Sequence, residues 1–308
     1  MVQVQTKVAV QAEVVNKMEM IIQTLLNYVI FIPMIAMGFY LVRQIAIYRL
    51  RKSLQLTERT VISALDNQGK DKTALLVRYS GLFLGVLIGI YAIYQNTFID
   101  RSITDLIIHY FAEFALLLIF MFTALRNADK VIFHKVSNDT EVFNGNLSVA
   151  LVEASILVGT GLVVYGSLLG TGAIWSSIVF FIIGQLAFIS LIWLYEVYES
   201  KFKNEELRDS IINGNLAKAI KLSSFIIVIA LSIKAGIVGD YTGMIADLVW
   251  FASVFSIMML SLFIYIWTIE KFVLNLVLIP NEVGSAVIKS VLRIGYIGIT
   301  TYAVLTTL

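Results

Sequence analysis

The sequence predicts an all-α membrane protein: a polytopic helical bundle of about eight transmembrane helices in parallel two-helix repeats. Three observations lead to this prediction. Hydrophobic residues make up 59% of the 308 residues and charged residues 14%, with a mean hydropathy of +0.86, whereas a soluble domain carries roughly 25% charged residues. Apolar runs long enough to cross a bilayer recur along the whole chain. Similar short segments also recur at a fixed spacing.

Eight runs of mostly apolar residues have the length of about 20 residues that a spanning helix needs. In chain order they cover residues 20–43, 77–97, 104–126, 147–170, 175–197, 216–238, 244–272 and 284–306. The first is long enough to span, so we expect a retained helix and not a cleaved signal peptide. This division predicts an external N-terminal segment over 1–19 and two four-helix membrane repeats over 20–170 and 171–308.

Basic residues concentrate on one side of the predicted bundle. All but four of the 23 Lys and Arg residues fall in or beside the links that join helices one and two, three and four, five and six, and seven and eight. The exceptions are Lys7, Lys17, Arg101 and Lys234. Because basic links stay on the cytoplasmic side, we expect a multi-pass protein of the cell membrane with both termini outside.

The first of these links carries a basic and apolar pattern between Arg43 and Arg59. Its apolar residues recur at roughly helical spacing and its arginines lie between them. Such a pattern is typical of an amphipathic helix that lies on a bilayer with anionic lipid headgroups. A solvated helical linker with cytoplasmic charge explains it equally well.

The chain contains an internal repeat. Asn144–Leu147, before the fourth run, reads Asn-Gly-Asn-Leu, and Asn213–Leu216, before the sixth run, reads the same 69 residues later. Thr104–Leu106 in the third run resembles Ala246–Leu248 in the seventh, 142 residues later. A fixed period indicates duplication. Because a shift by two helices preserves orientation across the membrane, we expect parallel and not inverted repeats.

This organisation resembles the YjfL family, a four-helix bacterial inner-membrane family classed as a domain of unknown function. The residues that carry the resemblance are Asn146–Ser148 and Asn215–Ala217, each leading into a helix rich in small residues; the second and eighth helices lack a clear Asn. The resemblance implies two copies in tandem over about 20–308. It implies an integral membrane protein with no assigned reaction and supplies no catalytic residues.

Ionisable residues inside the predicted helices form a candidate intramembrane polar site: His109, Glu113, Glu153 and Lys221. His109 lies one turn before Glu113, so both share a face of the third helix. Such groups are costly in a membrane and are functional candidates by default. This pair could relay protons or hold a cation, or a neutral Glu113 could join helices through His109. Glu153 and Lys221 lie at similar depths and would pair if their helices touch.

Small residues recur at four-residue spacing in two helices. Gly81, Gly85 and Gly89 do so in the second, and Ser155 and Gly159 in the fourth. In lipid such stripes let helix backbones approach closely. We therefore expect close helix packing at these five positions, either within one chain or between subunits.

Polar residues at the starts of several predicted helices are suited to bind the free N–H groups there. Asn146 and Asn215 would cap the fourth and sixth helices, with a shared polar girdle as the alternative, and Asp105 and Asp247 fall in the first turns of the third and seventh.

The sequence favours no enzyme class. It has no Cys and only two His, and it shows no phosphate-binding loop, serine-hydrolase or zinc-protease motif and no paired aspartate of an intramembrane protease. We expect no catalytic residue, cofactor, metal or nucleic-acid partner.

Two functions fit. A structural or assembly component of a bacterial membrane complex, as a homo-oligomer or with another membrane partner, suits the glycine stripes. A channel or a proton- or cation-coupled transporter suits His109, Glu113 and Glu153 if they converge on one water-accessible cavity.

Overall fold

The computed structural model describes residues 29–45, 47–49, 51–52, 72–96, 103–131, 138–169, 174–203, 207–239, 242–279 and 282–307. The helices are, in chain order, α1 (Val29–Arg49), α2 (Thr73–Gln95), α3 (Ile103–Val131), α4 (Asn138–Phe143), α5 (Leu147–Leu168), α6 (Ile174–Lys203), α7 (Leu207–Ile212), α8 (Leu216–Ile237), α9 (Met244–Tyr265) and α10 (Val283–Thr307). The helical path of α9 continues as a π-helix over Ile266–Leu274 and ends with Asn275–Val277.

Seven of the described helices are long and apolar enough to cross a membrane: α1, α2, α5, α6, α8, α9 and α10. A shorter apolar stretch, Ile107–Thr123, lies within α3. The prediction of an all-helical protein with about eight membrane helices is therefore confirmed. The helices α4 and α7 have six residues each and precede α5 and α8.

The helices rich in small residues form a row at the centre of the fold. In this row α2 packs against α5, α5 against α8, and α8 against α10. The remaining long helices α1, α3, α6 and α9 lie beside this row. Large apolar side chains of α6 and α9 are exposed on the surface, which suits contact with the apolar interior of a bilayer. Most of α5 and α8 is buried, so the core lies where the two halves of the chain meet.

The helices of the central row run parallel. Arg78, in the second turn of α2, contacts Glu153 in the second turn of α5, and Ser290 and Arg293 of α10 contact carbonyl groups near the start of α8. We call the end of the bundle where α2, α5, α8 and α10 begin the charged end. The repeats therefore follow one another in parallel, as the sequence spacing predicts.

The Asn-Gly-Asn segments stop one helix and start the next. Gly145 has φ of 93°, and its N–H donates to the Val142 carbonyl while that of Asn146 donates to the Glu141 carbonyl, which ends α4 in a Schellman motif. The Asn146 side chain then accepts from the Val149 N–H and caps α5.

The second copy of the motif repeats this geometry residue by residue. Gly214 has φ of 85° and ends α7, and the Asn215 side chain accepts from the Lys218 N–H to cap α8. Both Asn residues are N-caps. Asn146 also donates to the Ile212 carbonyl at the end of α7, 2.7 Å away, so this cap links the two halves of the chain.

The structure describes the side chain of only one of the two aspartates in the first turn of a membrane helix. Asp247 accepts from the N–H and hydroxyl of Thr242 just before α9, so it binds an N–H group at the helix start. The side chain of Asp105 lies outside the described residues.

The glycine stripe of α2 faces α5 and α3 in the same chain. A Cβ on Gly81 would lie 2.5 Å from Ala154 Cα, and one on Gly85 would lie 2.5 Å from the Leu157 carbonyl oxygen. A Cβ on Gly89 would collide with the Leu117 side chain of α3. These contacts are between backbones or tightly packed side chains, so the helices approach more closely than any larger residue allows.

The small residues of α5 lie in the same core. A Cβ on Gly159 would meet the Phe188 ring of α6 at 2.6 Å and Ala230 of α8 at 3.3 Å. Ser155 is buried, and its hydroxyl donates to the Val152 carbonyl of its own helix. At Gly159, α5 thus packs against α6 and α8, which follow it in the chain.

Candidate polar sites at the two ends of the bundle

Four charged side chains from four helices meet at the charged end of α2 and α5. We call Arg49, Arg78, Asp139 and Glu153 the first charge cluster. Arg78 pairs with Asp139 of α4 and, at 2.9 Å, with Glu153 of α5. Arg49 of α1 lies 3.2 Å from Asp139 and 3.8 Å from Glu153. Asn138 donates to the second oxygen of Glu153 at 3.2 Å.

The second half of the chain holds an equivalent cluster of Glu199, Lys221, Glu270 and Arg293, the second charge cluster. Arg293 of α10 donates two hydrogen bonds of 2.7 Å to the two oxygens of Glu270. Its remaining nitrogen donates to Ser224 of α8 at 2.9 Å. Lys221 of α8 lies 3.4 Å from Glu199 of α6.

Glu270 reaches Arg293 from the π-helical part of α9. A π-turn changes which residues of a helix face inward. Glu270 is 8% exposed, whereas most of the other described residues of the π-helix point outward. The π-helix thus places Glu270 against α10. A further pair, Arg208 of α7 and Glu196 of α6, lies beside this cluster at 2.9 Å.

Each cluster is electrically balanced. Two cationic and two anionic side chains meet in the first, and the same numbers meet in the second. Arg78, Glu153, Glu199 and Arg293 are each 3% exposed or less. Buried charges are costly unless they are paired, and every charged side chain of both clusters has a partner of opposite charge. Each therefore ties three or four helices together at one depth.

The other end of the bundle carries His109 and Glu113. The His109 Nε2 atom lies 3.4 Å from Glu113 Oε1, so the two side chains do meet on α3. Asn96, which follows α2, donates to Glu113 at 3.1 Å and also to the Leu168 carbonyl at the end of α5. Glu113 is 5% exposed and joins three helices there.

The predicted polar residues do not form one site. Glu113 contacts Asn96 and Glu153 contacts Arg78; these two α2 positions are 18 residues apart, about 27 Å at an ordinary helical rise. Nor do Glu153 and Lys221 pair with each other, although α5 and α8 touch: each binds a different partner. The convergence on one cavity that a transport pathway needs is absent among these four residues.

A cleft of about 430 Å³ opens between the ends of α5, α6, α8 and α9 that lie away from the charged end. Its described lining includes Ser167, Ser176, Asp247 and Trp250. Neither His109 nor Glu113 lines it. Among the described residues, no three His, Asp or Glu side chains lie together as a metal site would need.

Several important residues were missed by sequence reasoning. Arg78 and Arg293 lie inside or at the edge of apolar runs, and an ionisable group in such a run is the signal that could have found them. Glu199 and Glu270 lie at helix ends, where charge is ordinary, so nothing in the sequence marks them. Their roles depend on which helices touch.

The segment between Arg43 and Arg59 is only partly described. Arg49 lies in the first charge cluster, while Arg43, Arg51 and Lys52 are exposed. Residues 53–59 lie outside the described residues, so contact with anionic lipid stays a prediction.

Comparison with known families completes this picture. A family model described as Domain of Unknown Function (DUF350) matches the chain twice, over residues 16–168 and 169–305. The chain belongs to the DUF350 family. The two matches confirm two tandem copies of a domain of unknown function, and the first ends with α5. The matched model is DUF350, so the finer likeness to the YjfL family stays a resemblance.

One relative of the DUF350 chain is a UPF0719 transmembrane protein of Aquifex aeolicus (strain VF5). The two are 20% identical over 217 residues, which cover 70% of this chain and 78% of that protein. No solved structure matches the chain. The chain is thus a multi-pass transmembrane protein of a family without an assigned function.

Proposed function

We propose that this protein is a structural, non-enzymatic component of a membrane assembly. The observation that carries the proposal is the charge balance of the two clusters: two cations are set against two anions in each, and Arg78, Glu153, Glu199, Glu270 and Arg293 are buried. An ion pathway needs a charged or polar group that a passing ion can bind and leave. Groups already bound to one another serve instead to fix the helices.

The layer between the two ends supports the same role. Leu82, Val86 and Ile90 of α2 belong to the same buried apolar core as Leu117 of α3 and Leu157 of α5. The glycine contacts of α2 with α5 bring the backbones together in this layer. A bundle tied by ion pairs at one end and closely packed at its centre suits a rigid scaffold better than a moving transporter.

Two measurements test the proposal. The purified protein, reconstituted in liposomes, should show no proton, sodium or potassium flux above protein-free vesicles. Particles extracted directly from membranes should have a mass above that of one chain by native mass spectrometry.

Either opposite result contradicts the proposal. Flux that is present in the wild type and lost in Glu113→Gln would favour the channel or transporter, since that substitution replaces the ionisable carboxyl group with a neutral amide of nearly the same size. Extracted particles that contain one chain only would remove the assembly role. A matched control is Gln185→Glu, which places a carboxyl group at another buried position and should leave the absence of flux unchanged.

A further inference from the structure

At one end of the central row of helices, no described residue covers one face of α10. A Cβ on Gly284, Gly295 or Gly298 would meet nothing within 4 Å. Val291 and Tyr302, on the same side of the helix, are 63% and 72% exposed. Glycine contributes little to a lipid-facing surface, whereas it permits close helix contact.

The matching face of α5 is covered within the chain. Gly159 and Gly295 each lie twelve residues after the first residue of their helices, and each helix is the last of its DUF350 copy. The space at Gly159 is filled by Phe188 of α6 and Ala230 of α8, which are the first two membrane helices of the next copy.

Within the part of the chain that the structure describes, α2 also has an uncovered face at the other end of the row. Ala219, Ser223 and Ala230 share one side of α8 and are buried, and Ala230 packs against α5. Counted from the helix start, their counterparts in α2 are Leu76, Ser80 and Leu87. Leu76 is 67% exposed and Ser80 is exposed.

We propose that a second copy of this chain places the open face of its α2 against the open face of α10. This contact would repeat between chains the contact that joins the two DUF350 copies within one chain. The open face of α10 corresponds by position to the face of α5 in that contact, and the open face of α2 corresponds to the face of α8. The two surfaces differ, so the association is head-to-tail, and it closes into a ring if the rotation between chains permits. This inference rests on the proposed assembly role and names its partner.

Cysteine cross-linking tests the contact directly, because the chain has no Cys of its own. The positions equivalent to Gly159 and Ala230 are Gly295 and Leu87. Oxidation in membranes of the double variant G295C/L87C should give dimers and higher multiples of the chain. An equimolar mixture of G295C and L87C chains should give dimers only, and each single variant alone should give none.

The controls use the same chemistry. G166C/I237C should form its disulfide within one chain, because a Cβ on Gly166 of α5 lies 3.3 Å from the Ile237 Cβ of α8 and meets nothing closer, and 3.3 Å is close to the separation in a disulfide. G295C paired with Cys at Phe111, which is 67% exposed on α3, should not cross-link between chains.

Three results would overturn the inference: no cross-link in G295C/L87C when the intrachain control forms, equal cross-linking of a single variant, or equal cross-linking through Phe111. If particles extracted from membranes still exceed one chain in mass, the failure concerns the α2–α10 contact alone. If they contain one chain only, the proposed function fails with it.

Discussion

Replacing Gly85 by Ala perturbs one of the two closest described contacts that the α2 glycines make with α5. The added Cβ would lie 2.5 Å from the Leu157 carbonyl oxygen and 2.9 Å from Met121 Cε. Real Cβ contacts essentially never fall below 3.0 Å, so the two helices must separate by at least about 0.5 Å. The obstacle at Leu157 is backbone, so no change of side-chain conformation relieves it.

The expected loss of stability is about 1–3 kcal/mol, the usual effect of overpacking a filled core. It is partly offset because Ala favours a helix over Gly by up to about 1 kcal/mol. At roughly 2–4 °C per kcal/mol, the midpoint of thermal unfolding should fall by a few degrees. The separation also opens the layer that contains Gly161, whose own Cβ would lie 2.5 Å from the Gly85 carbonyl oxygen.

Gly284→Ala is the matched control, because it makes the same chemical change where nothing lies within 4 Å. Its midpoint should stay equal or rise slightly, since only the helix preference changes. Both variants would be compared as monomers in detergent by thermal unfolding and size-exclusion chromatography. Equal midpoints for the two variants would show that α2 and α5 are not in close contact at Gly85, and the packing argument would then be wrong.

Three further predictions follow from the contacts described above. Arg293→Met should lower the free energy of unfolding by about 3–5 kcal/mol, because it leaves Glu270 buried without its cation. The double change of Arg293 and Glu270 to Met should leave that free energy nearly unchanged. Equal losses for the single and double variants in denaturation experiments would contradict this prediction. Asn146→Ala should cost about 0.5–2 kcal/mol through loss of the cap, measured by the same assay, and no loss would show that the cap is dispensable. A Cys at Lys201 should react with an impermeant thiol reagent only after the inner face is opened, and one at Thr242 should react from outside; labelling of both from one side would refute the predicted topology.

The number of membrane helices and the repeat could be predicted from the sequence because both depend on local properties. A run of apolar residues must be about as long as the bilayer is thick, and the start of α5 at Asn146 and of α8 at Asn215 follows from a motif whose Gly adopts a positive φ. The partners of the charged residues could not be predicted. Glu153 binds Arg78 and Lys221 binds Glu199 because of which helices touch, and no pattern within a single helix contains that information.

What the two halves share is the balance and depth of buried charge more than the identity of the residues. The second turn of α2 carries Arg78 and that of α8 carries Lys221. The last helix of each copy brings opposite charges to the cluster from different positions: Glu153 lies six residues after the first residue of α5, and Arg293 lies ten residues after that of α10. A cation from the last helix, where the first copy has an anion, is tolerated only with a change in a neighbouring group. The π-helix of α9 supplies that change by turning Glu270 inward. Because a substitution at either position alone would leave a buried charge without its partner, charge neutrality is the property that this end of the fold requires, and it is the property expected of contacts that hold helices in place.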